Sequence, residues 1–348
     1  MNQYSPYGRI HTSYDNYNYG TQSIIKMTRR EKLTLSFTSG AIGLCIIMFH
    51  FFGDLFVRIA KETSIIKYYN DSYIVFNTVQ IFFSLFMIVL PFAIGGLIIK
   101  FFIQKDVQLL PLQKPNSGKL FVAALGISFL TLVVSNFVTS LFVLSAEGMG
   151  FQFDGGAAVD PENFEDFLWQ VLSTAVVPAL AEEFAVRGVV LQSLRKFGDT
   201  FAIITSAFIF AILHGNLVQA PFALMLGLVI AWLVIVTDSL WTGIAIHFMN
   251  NLYATIVTAL SVFLPEIAYV AIVAVINVLG ALLGLVALIW FIDKYKKKIR
   301  LNEPGGNTKS AQALYRKTAF RYTVFSVPML AALIIMFIEI GTNVHYVG

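Results

Sequence analysis

Residues 267–292 read IAYVAIVAVINVLGALLGLVALIWFI, a run without an acidic or basic side chain. About 20 consecutive apolar residues are enough for a helix to cross the hydrocarbon core of a bilayer. Across the whole chain 13% of residues are charged and 57% are hydrophobic, whereas a soluble domain carries about 25% charged residues. Cys45 is the single cysteine, so no intramolecular disulfide can form. These features exclude a soluble globule, a disordered chain, a secreted disulfide scaffold and a nucleic-acid-binding protein.

Further apolar runs predict an all-α fold, a polytopic transmembrane helical bundle of about eight or nine spans. The other runs are Leu33–Phe52, Ile74–Ile99, Leu120–Leu144, Phe201–Val236, Leu240–Pro265 and Tyr322–Ile338. The longest, Phe201–Val236, has room for two helices with a break near Gly215, and Pro328 interrupts the last run. Another span starts near Phe167 and carries Glu182 part-way along.

These runs divide the chain into four parts. Residues 1–32 are predicted to form a polar N-terminal cytoplasmic tail, since they lack the short basic start of a signal peptide. Residues 33–164 hold the N-terminal transmembrane helices and loops. Residues 165–264 form the core that carries the polar residues described below, and residues 265–348 hold the C-terminal transmembrane helices with a basic cytoplasmic loop.

The charges of the loops predict the orientation, because positively charged loops stay in the cytoplasm. Basic residues precede the first span and follow the second, fourth and eighth spans, whereas the loop between the third and fourth spans is acidic. Alternation through nine spans predicts a multi-pass protein of the cell membrane with a cytoplasmic N-terminus and an external C-terminus.

Ionisable side chains inside spans are costly, so each is a candidate functional residue. Glu183 and Arg187 are spaced i,i+4 on one helical face, which predicts an ion pair. Glu182 lies about 100° around the same helix and has no partner on it, so it can serve as a general base or a metal ligand. Pro178 precedes Glu182 by one turn and frees the backbone carbonyl of Thr174.

Two later spans contribute His214 and His247, and Asn251 follows His247 by one turn on the same helical face. A rise of about 1.5 Å per residue places Glu182 and His214 at the same depth, about 20 Å from the cytoplasmic ends of their spans. Such residues can hold a water between a carboxylate and imidazoles, with the Asn251 amide donating to an oxyanion. They can instead bind Zn²⁺ through Glu182, His214 and His247.

Two other ionisable residues lie near the ends of spans. His50 stands close to Asp54, which predicts an interfacial residue. Glu339 lies at the end of the last apolar run, which predicts that its carboxylate reaches the lipid headgroups.

Three polar segments follow one another along the core: Glu182-Glu183-x-x-x-Arg187, Phe210-x-x-x-His214 and His247-x-x-x-Asn251. In this order they resemble the motifs of the CPBP intramembrane metalloproteases, which comprise the type II CAAX prenyl endopeptidases and bacteriocin-processing (Abi) relatives. The resemblance extends from about Phe167 to Leu264. It implies a helical bundle with its site in an intramembrane cavity. It also implies that Glu182 activates water with His214, and that His247 and Asn251 line the oxyanion site.

The predicted function is therefore that of an intramembrane endopeptidase whose substrate is a peptide or a small membrane protein, with the bilayer as its other partner. The predicted catalytic set is Glu182, Glu183, Arg187, His214, His247 and Asn251. Two alternatives remain open at this point: a non-catalytic immunity or scaffold protein of the membrane, and a proton-coupled secondary transporter. A transporter of that kind is expected to have broken helices in two related halves, and the sequence shows no such repeat.

Overall fold

The computed structural model describes residues 25–62, 72–153, 160–295 and 299–347. Most of the predicted N-terminal tail therefore lies outside the described residues. Within them the chain forms ten helices: α1 Arg29–Glu62, α2 Tyr73–Ile103, α3 Gly118–Gly148, α4 at residues 164–197, α5 Asp199–Leu213, α6 Ala220–Thr237, α7 Leu240–Phe263, α8 Glu266–Tyr295, α9 Lys309–Val324 and α10 Val327–Thr342. This architecture confirms the predicted helical bundle.

Six of these helices, α1, α2, α3, α6, α7 and α8, are long and apolar enough to cross a membrane. The pair α9 and α10 would add a seventh span, bent by 76°. The sequence-based number is larger because it also counts α4, whose ionisable side chains interrupt its apolar run, and α5, which has only 15 residues. The predicted break in the longest run is present, since α5 ends at Leu213 and α6 begins at Ala220.

Short polar side chains define where several helices begin. Ser117 accepts a hydrogen bond from the Leu120 amide at 3.3 Å at the start of α3. Asn163 accepts one from the Asp166 amide at 3.0 Å at the start of α4. Each cap satisfies one of the amide groups that the first helical turn leaves without an intrahelical partner. These caps limit the helices to the segments between the polar loops.

Contacts between loops assign them to the two ends of the bundle. At one end the Ile25 amide donates to Gly305 O at 3.1 Å, and the Asp199 amide donates to Asn302 O at 2.8 Å. At the other end the short strands β1 (Phe151–Phe153), after α3, and β2 (Val344–Tyr346), after α10, pair antiparallel. The described N-terminal segment and the C-terminal strand therefore lie at opposite ends of the bundle.

Helix α4 departs from regular α-helical geometry on both sides of its proline. Segments with wider, π-type turns, Val171–Val176 and Phe184–Leu191, flank an α-helical segment that starts with Val177 and Pro178. Proline has no amide hydrogen and cannot bond the carbonyl one turn earlier, and π-type turns recur at functional sites. Glu182 and Glu183 thus lie at the end of the short α-helical segment, and Arg187 lies in the π-type segment that follows it.

Helices α3 and α8 approach closely at two glycines. A Cβ atom on Gly284 would lie 2.5 Å from the Gly126 carbonyl oxygen, and one on Gly280 would lie 2.1 Å from the Phe129 ring. Small residues at such crossings let two membrane helices come into backbone contact. These glycines therefore hold α8, whose other side chains are mostly exposed in the bundle, against α3.

We expect Gly284→Ala to destabilise the protein by about 1–3 kcal/mol, because the added methyl group meets backbone rather than a movable side chain. Thermal unfolding of the purified protein in detergent measures the effect as a lower melting temperature. Gly341→Ala is the matched control, since a Cβ there meets nothing within 4 Å and alanine favours the helix. Equal melting temperatures for the two variants would contradict this account of the α3–α8 contact.

Candidate active site

A cavity of about 110 Å³ contains both Glu182, from α4, and His214, from the end of α5. Its other walls are apolar and come from α1, α2, α4 and α5. They consist of Phe49, Ile88, Phe92, Ala185, Val186, Phe210 and Leu213. The structure thus brings together the carboxylate and the imidazole that the sequence places at one depth. Glu182 keeps 24% of its side chain exposed, so its carboxylate is accessible.

The ion pair between Glu183 and Arg187 lies next to this cavity and is fully buried. Arg187 Nη1 donates to Glu183 Oε1 at 2.6 Å, and Nη2 donates to the Gly227 carbonyl of α6 at 3.3 Å. The guanidinium carbon lies 4.3 Å from the centre of the Phe210 ring, a distance at which a cation is attracted to the ring face. Gly243 of α7 leaves room for Glu183, since a Cβ there would lie 2.7 Å from Oε2.

His247 shares the same carboxylate. Its Nδ1 lies 2.9 Å from Glu183 Oε1, and because an ionised carboxylate only accepts hydrogen bonds, Nδ1 carries the proton. Its Nε2 lies 3.9 Å from Glu182 Oε2. Glu183 therefore orients His247 so that the second ring nitrogen faces Glu182. This geometry matches the way a buried carboxylate orients a catalytic imidazole.

His214 is oriented by the backbone of its own helix. Its Nδ1 lies 2.8 Å from the Phe210 carbonyl oxygen, so Nδ1 is the donor and Nε2 remains an acceptor for the cavity. The edge-on Phe210 ring separates the two imidazoles, with its centre 4.9 Å from His214 and 5.6 Å from His247. Sequence reasoning placed Phe210 in a motif without a role. The structure shows that it contacts three of the polar residues.

Asn251 bonds to the carbonyl that Pro178 frees. Its Nδ2 donates to Thr174 O at 3.0 Å, and the Thr255 hydroxyl donates to Asn251 O at 2.9 Å. Asn251 thus ties α7 to the irregular part of α4. Among the described residues that line the 110 Å³ cavity, neither Asn251 nor His247 appears, so the oxyanion role of Asn251 stays a prediction.

Sequence reasoning missed a second polar contact between spans. Asn77 of α2 is buried; it accepts a short hydrogen bond from the Ser173 hydroxyl of α4 and donates to Tyr73 O at 2.9 Å. The signal was present as an amide within an apolar run, because membrane helices use such groups to bond their neighbours. This contact attaches α2, which contributes part of the cavity wall, to α4.

The described parts of the chain hold no group of three His, Cys, Asp or Glu side chains arranged to bind a metal ion. In particular, Glu182, His214 and His247 do not form such a group as they stand. Binding of Zn²⁺ through these three residues therefore stays a prediction.

The family model "Type II CAAX prenyl endopeptidase Rce1-like" matches residues 164–253. The match begins with α4, includes α5 and α6, and ends within α7, so it includes all six residues of the predicted catalytic set. It confirms the resemblance for about a quarter of the chain and supports intramembrane endopeptidase activity. No curated protein and no solved structure matches the chain.

We expect Arg187→Met to cost about 3 kcal/mol or more, because it leaves a buried carboxylate without its cation. The melting temperature in detergent measures this loss. The double variant Glu183→Leu/Arg187→Met should recover much of it, since a buried pair replaced by apolar groups is often tolerated. Lys294→Met is the control; Lys294 pairs with Asp293 in an exposed position, and its loss should leave the melting temperature unchanged. If the double variant is no more stable than Arg187→Met, the loss does not come from a buried Glu183 carboxylate without its cation.

Proposed function

We propose that this protein is an intramembrane endopeptidase in which Glu182 and His214 activate a water molecule to hydrolyse a peptide bond. One observation carries the proposal: within a region that matches the Rce1-like family, a carboxylate and an imidazole from two helices share one cavity of an apolar bundle. A cavity enclosed by membrane-spanning helices is poorly accessible to soluble substrates. The proposed substrate is therefore a peptide or a small protein associated with the membrane.

The first step is attack by water. A water between the Glu182 carboxylate and His214 Nε2 gives a proton to Glu182 as its oxygen forms a bond to the peptide carbonyl carbon. The carbonyl electron pair moves to oxygen and forms a tetrahedral oxyanion. When the C–N bond breaks, Glu182 returns the proton to the leaving amine. The products are one carboxylic acid and one amine, and Glu182 is an anion again.

The oxyanion is stabilised by His247 in this mechanism. Glu183 accepts from Nδ1 and so orients the ring with Nε2 at 3.9 Å from Glu182 Oε2. In the proposed step a doubly protonated imidazole donates Nε2–H to the oxyanion. A preorganised donor of this kind acts strongly where water is excluded. Arg187 holds the Glu183 carboxylate in place through the 2.6 Å contact. Asn251 keeps α7, and with it His247, against α4 through Thr174.

We expect Glu182→Gln and His214→Asn each to lower the cleavage rate by about 100-fold or more, the range for loss of a general base. The assay uses the purified protein in liposomes with a synthetic library of membrane-bound peptides, prenylated at a C-terminal CAAX cysteine or unmodified. Fragments are detected by mass spectrometry in H₂¹⁸O. Hydrolysis by water places ¹⁸O in the new carboxyl group, and the fragments identify the preferred substrate class.

The controls are Glu147→Gln and His345→Asn, which change exposed residues outside the cavity and should leave the rate unchanged. Wild-type protein that cleaves no peptide of the library, in liposomes or in native membranes, would favour a non-catalytic scaffold. Full activity in Glu182→Gln would overturn the mechanism. Loss of activity with a chelator and its recovery with Zn²⁺ would add a metal to the site.

The basic end of the bundle is proposed to face the cytoplasm, which places the C-terminal strand outside. The only native cysteine, Cys45, is buried, so introduced cysteines can be labelled over a low background. We expect a membrane-impermeant maleimide to label Glu162→Cys, between α3 and α4, in intact cells. Lys114→Cys, between α2 and α3, should be labelled only after the membrane is permeabilised. The reverse labelling pattern would mean that the basic end of the bundle faces the outside of the cell.

A further inference from the structure

Helix α10 contacts the turn that carries His214, although it lies outside the residues that match the family model. Gly215 directly follows His214 and has a φ of +61°. A Cβ on Gly215 would lie 2.9 Å from Glu339 Oε1, so this carboxylate covers the glycine. Asn343, one turn after Glu339, donates Nδ2 to the Gly215 carbonyl at 2.9 Å. Two side chains from the end of α10 thus hold the residue next to His214.

Helix α1 holds the same carboxylate from another direction. His50 Nδ1 lies 3.0 Å from Glu339 Oε2, and its other ring nitrogen is buried and has no hydrogen-bond partner in the described residues. The neighbouring residue, Phe49, lines the cavity of Glu182 and His214. The sequence predicts an interfacial His50 and a Glu339 that reaches the headgroups as two separate features. The structure joins them beside the candidate active site.

The helices that carry this contact are closely packed, so the contact is anchored. A Cβ on Gly43 of α1 would lie 2.4 Å from the Met329 amide of α10, which means that the two backbones touch. The rings of Phe208 on α5 and Phe337 on α10 lie 6.4 Å apart. Helix α10 is therefore a fixed support for the turn after α5.

We infer that His50, Glu339 and Asn343 are positioning residues for His214, and we call them the α10 clamp. The backbone of a glycine is freer than that of any other residue, so a turn at Gly215 needs outside contacts to hold one conformation. His214 is also the last residue before that turn, where a helix has no further turn to restrain it. The clamp supplies these contacts from α1 and α10. Its effect on catalysis rests on the function proposed above, whereas its effect on His214 does not.

The kinetic test compares Glu339→Ala with Glu339→Gln in the liposome assay. We expect Glu339→Ala to lower kcat by about 10- to 100-fold with little change in KM, because misplacement of a catalytic group by about 1 Å costs up to about 100-fold. Glu339→Gln should retain most of kcat, since its amide keeps the shape over Gly215 and can bond to His50. Glu266→Ala, an exposed glutamate at the start of α8, is the control and should match wild type.

A second readout needs no activity. In protein labelled with ¹⁵N-histidine, the Nδ1–H signal that disappears in His214→Asn belongs to His214. We expect this signal to shift or broaden in Glu339→Ala and in Asn343→Ala, while the His247 signals stay in place and report that the bundle is folded. If Glu339→Ala does not fold, Asn343→Ala decides the question alone.

Unchanged His214 signals in the folded variants would overturn the clamp, even if wild type cleaves peptides and the proposed function stands. Shifted signals in a protein that cleaves nothing would support the clamp and overturn the proposed function. An equal loss of kcat in Glu339→Gln and Glu339→Ala, with unchanged His214 signals, would assign Glu339 a role in the chemistry and likewise overturn the clamp.

Discussion

A carboxylate and a guanidinium are fully buried in a bundle whose surroundings are hydrocarbon, and this constraint organises the centre of the molecule. Both side chains, those of Glu183 and Arg187, are fully buried, and burial of a charge is costly unless the protein supplies partners for it. Helix α5 contributes the Phe210 ring, α6 a backbone carbonyl and α7 the His247 imidazole. Gly243 lets α7 approach the Glu183 carboxylate, and Gly227 lets α6 approach Ala207 and Phe210 of α5. The packing around α4 is thus specified by charge satisfaction as well as by shape.

The ion pair between Glu183 and Arg187 gives the two neighbouring glutamates different roles, one structural and one chemical. Arg187 compensates Glu183 within one helix, and His247 is bound to that neutralised unit. Glu182 lines the cavity, and the only ion-pair distance that its carboxylate makes among the described residues is 3.9 Å to His247 Nε2. A carboxylate that is accessible and only loosely paired can accept a proton, whereas one held by a 2.6 Å ion pair orients its neighbours.

Local patterns predicted much of this. Apolar runs set the positions of the helices, and the polar residues after Leu213 ended α5 before α6. The i,i+4 spacing gave the contact between Glu183 and Arg187. Pro178 predicted a carbonyl without a partner, but not that Asn251 would supply one from α7. Likewise, His50 and Glu339 lie far apart in the chain, and no periodicity connects them. Their contact exists because α1 packs against α10 at Gly43.

The sequence by itself determined the membrane environment, the order of the helices and which side chains would be costly in hydrocarbon, because these follow from composition and from short-range helical geometry. Only the tertiary structure decided which costly groups meet. Glu182 and His214 share one cavity, and Glu183 bonds to both Arg187 and His247. The end of α10 contacts the turn after His214. Such contacts depend on how helices pack across long separations in the chain, which no local pattern encodes.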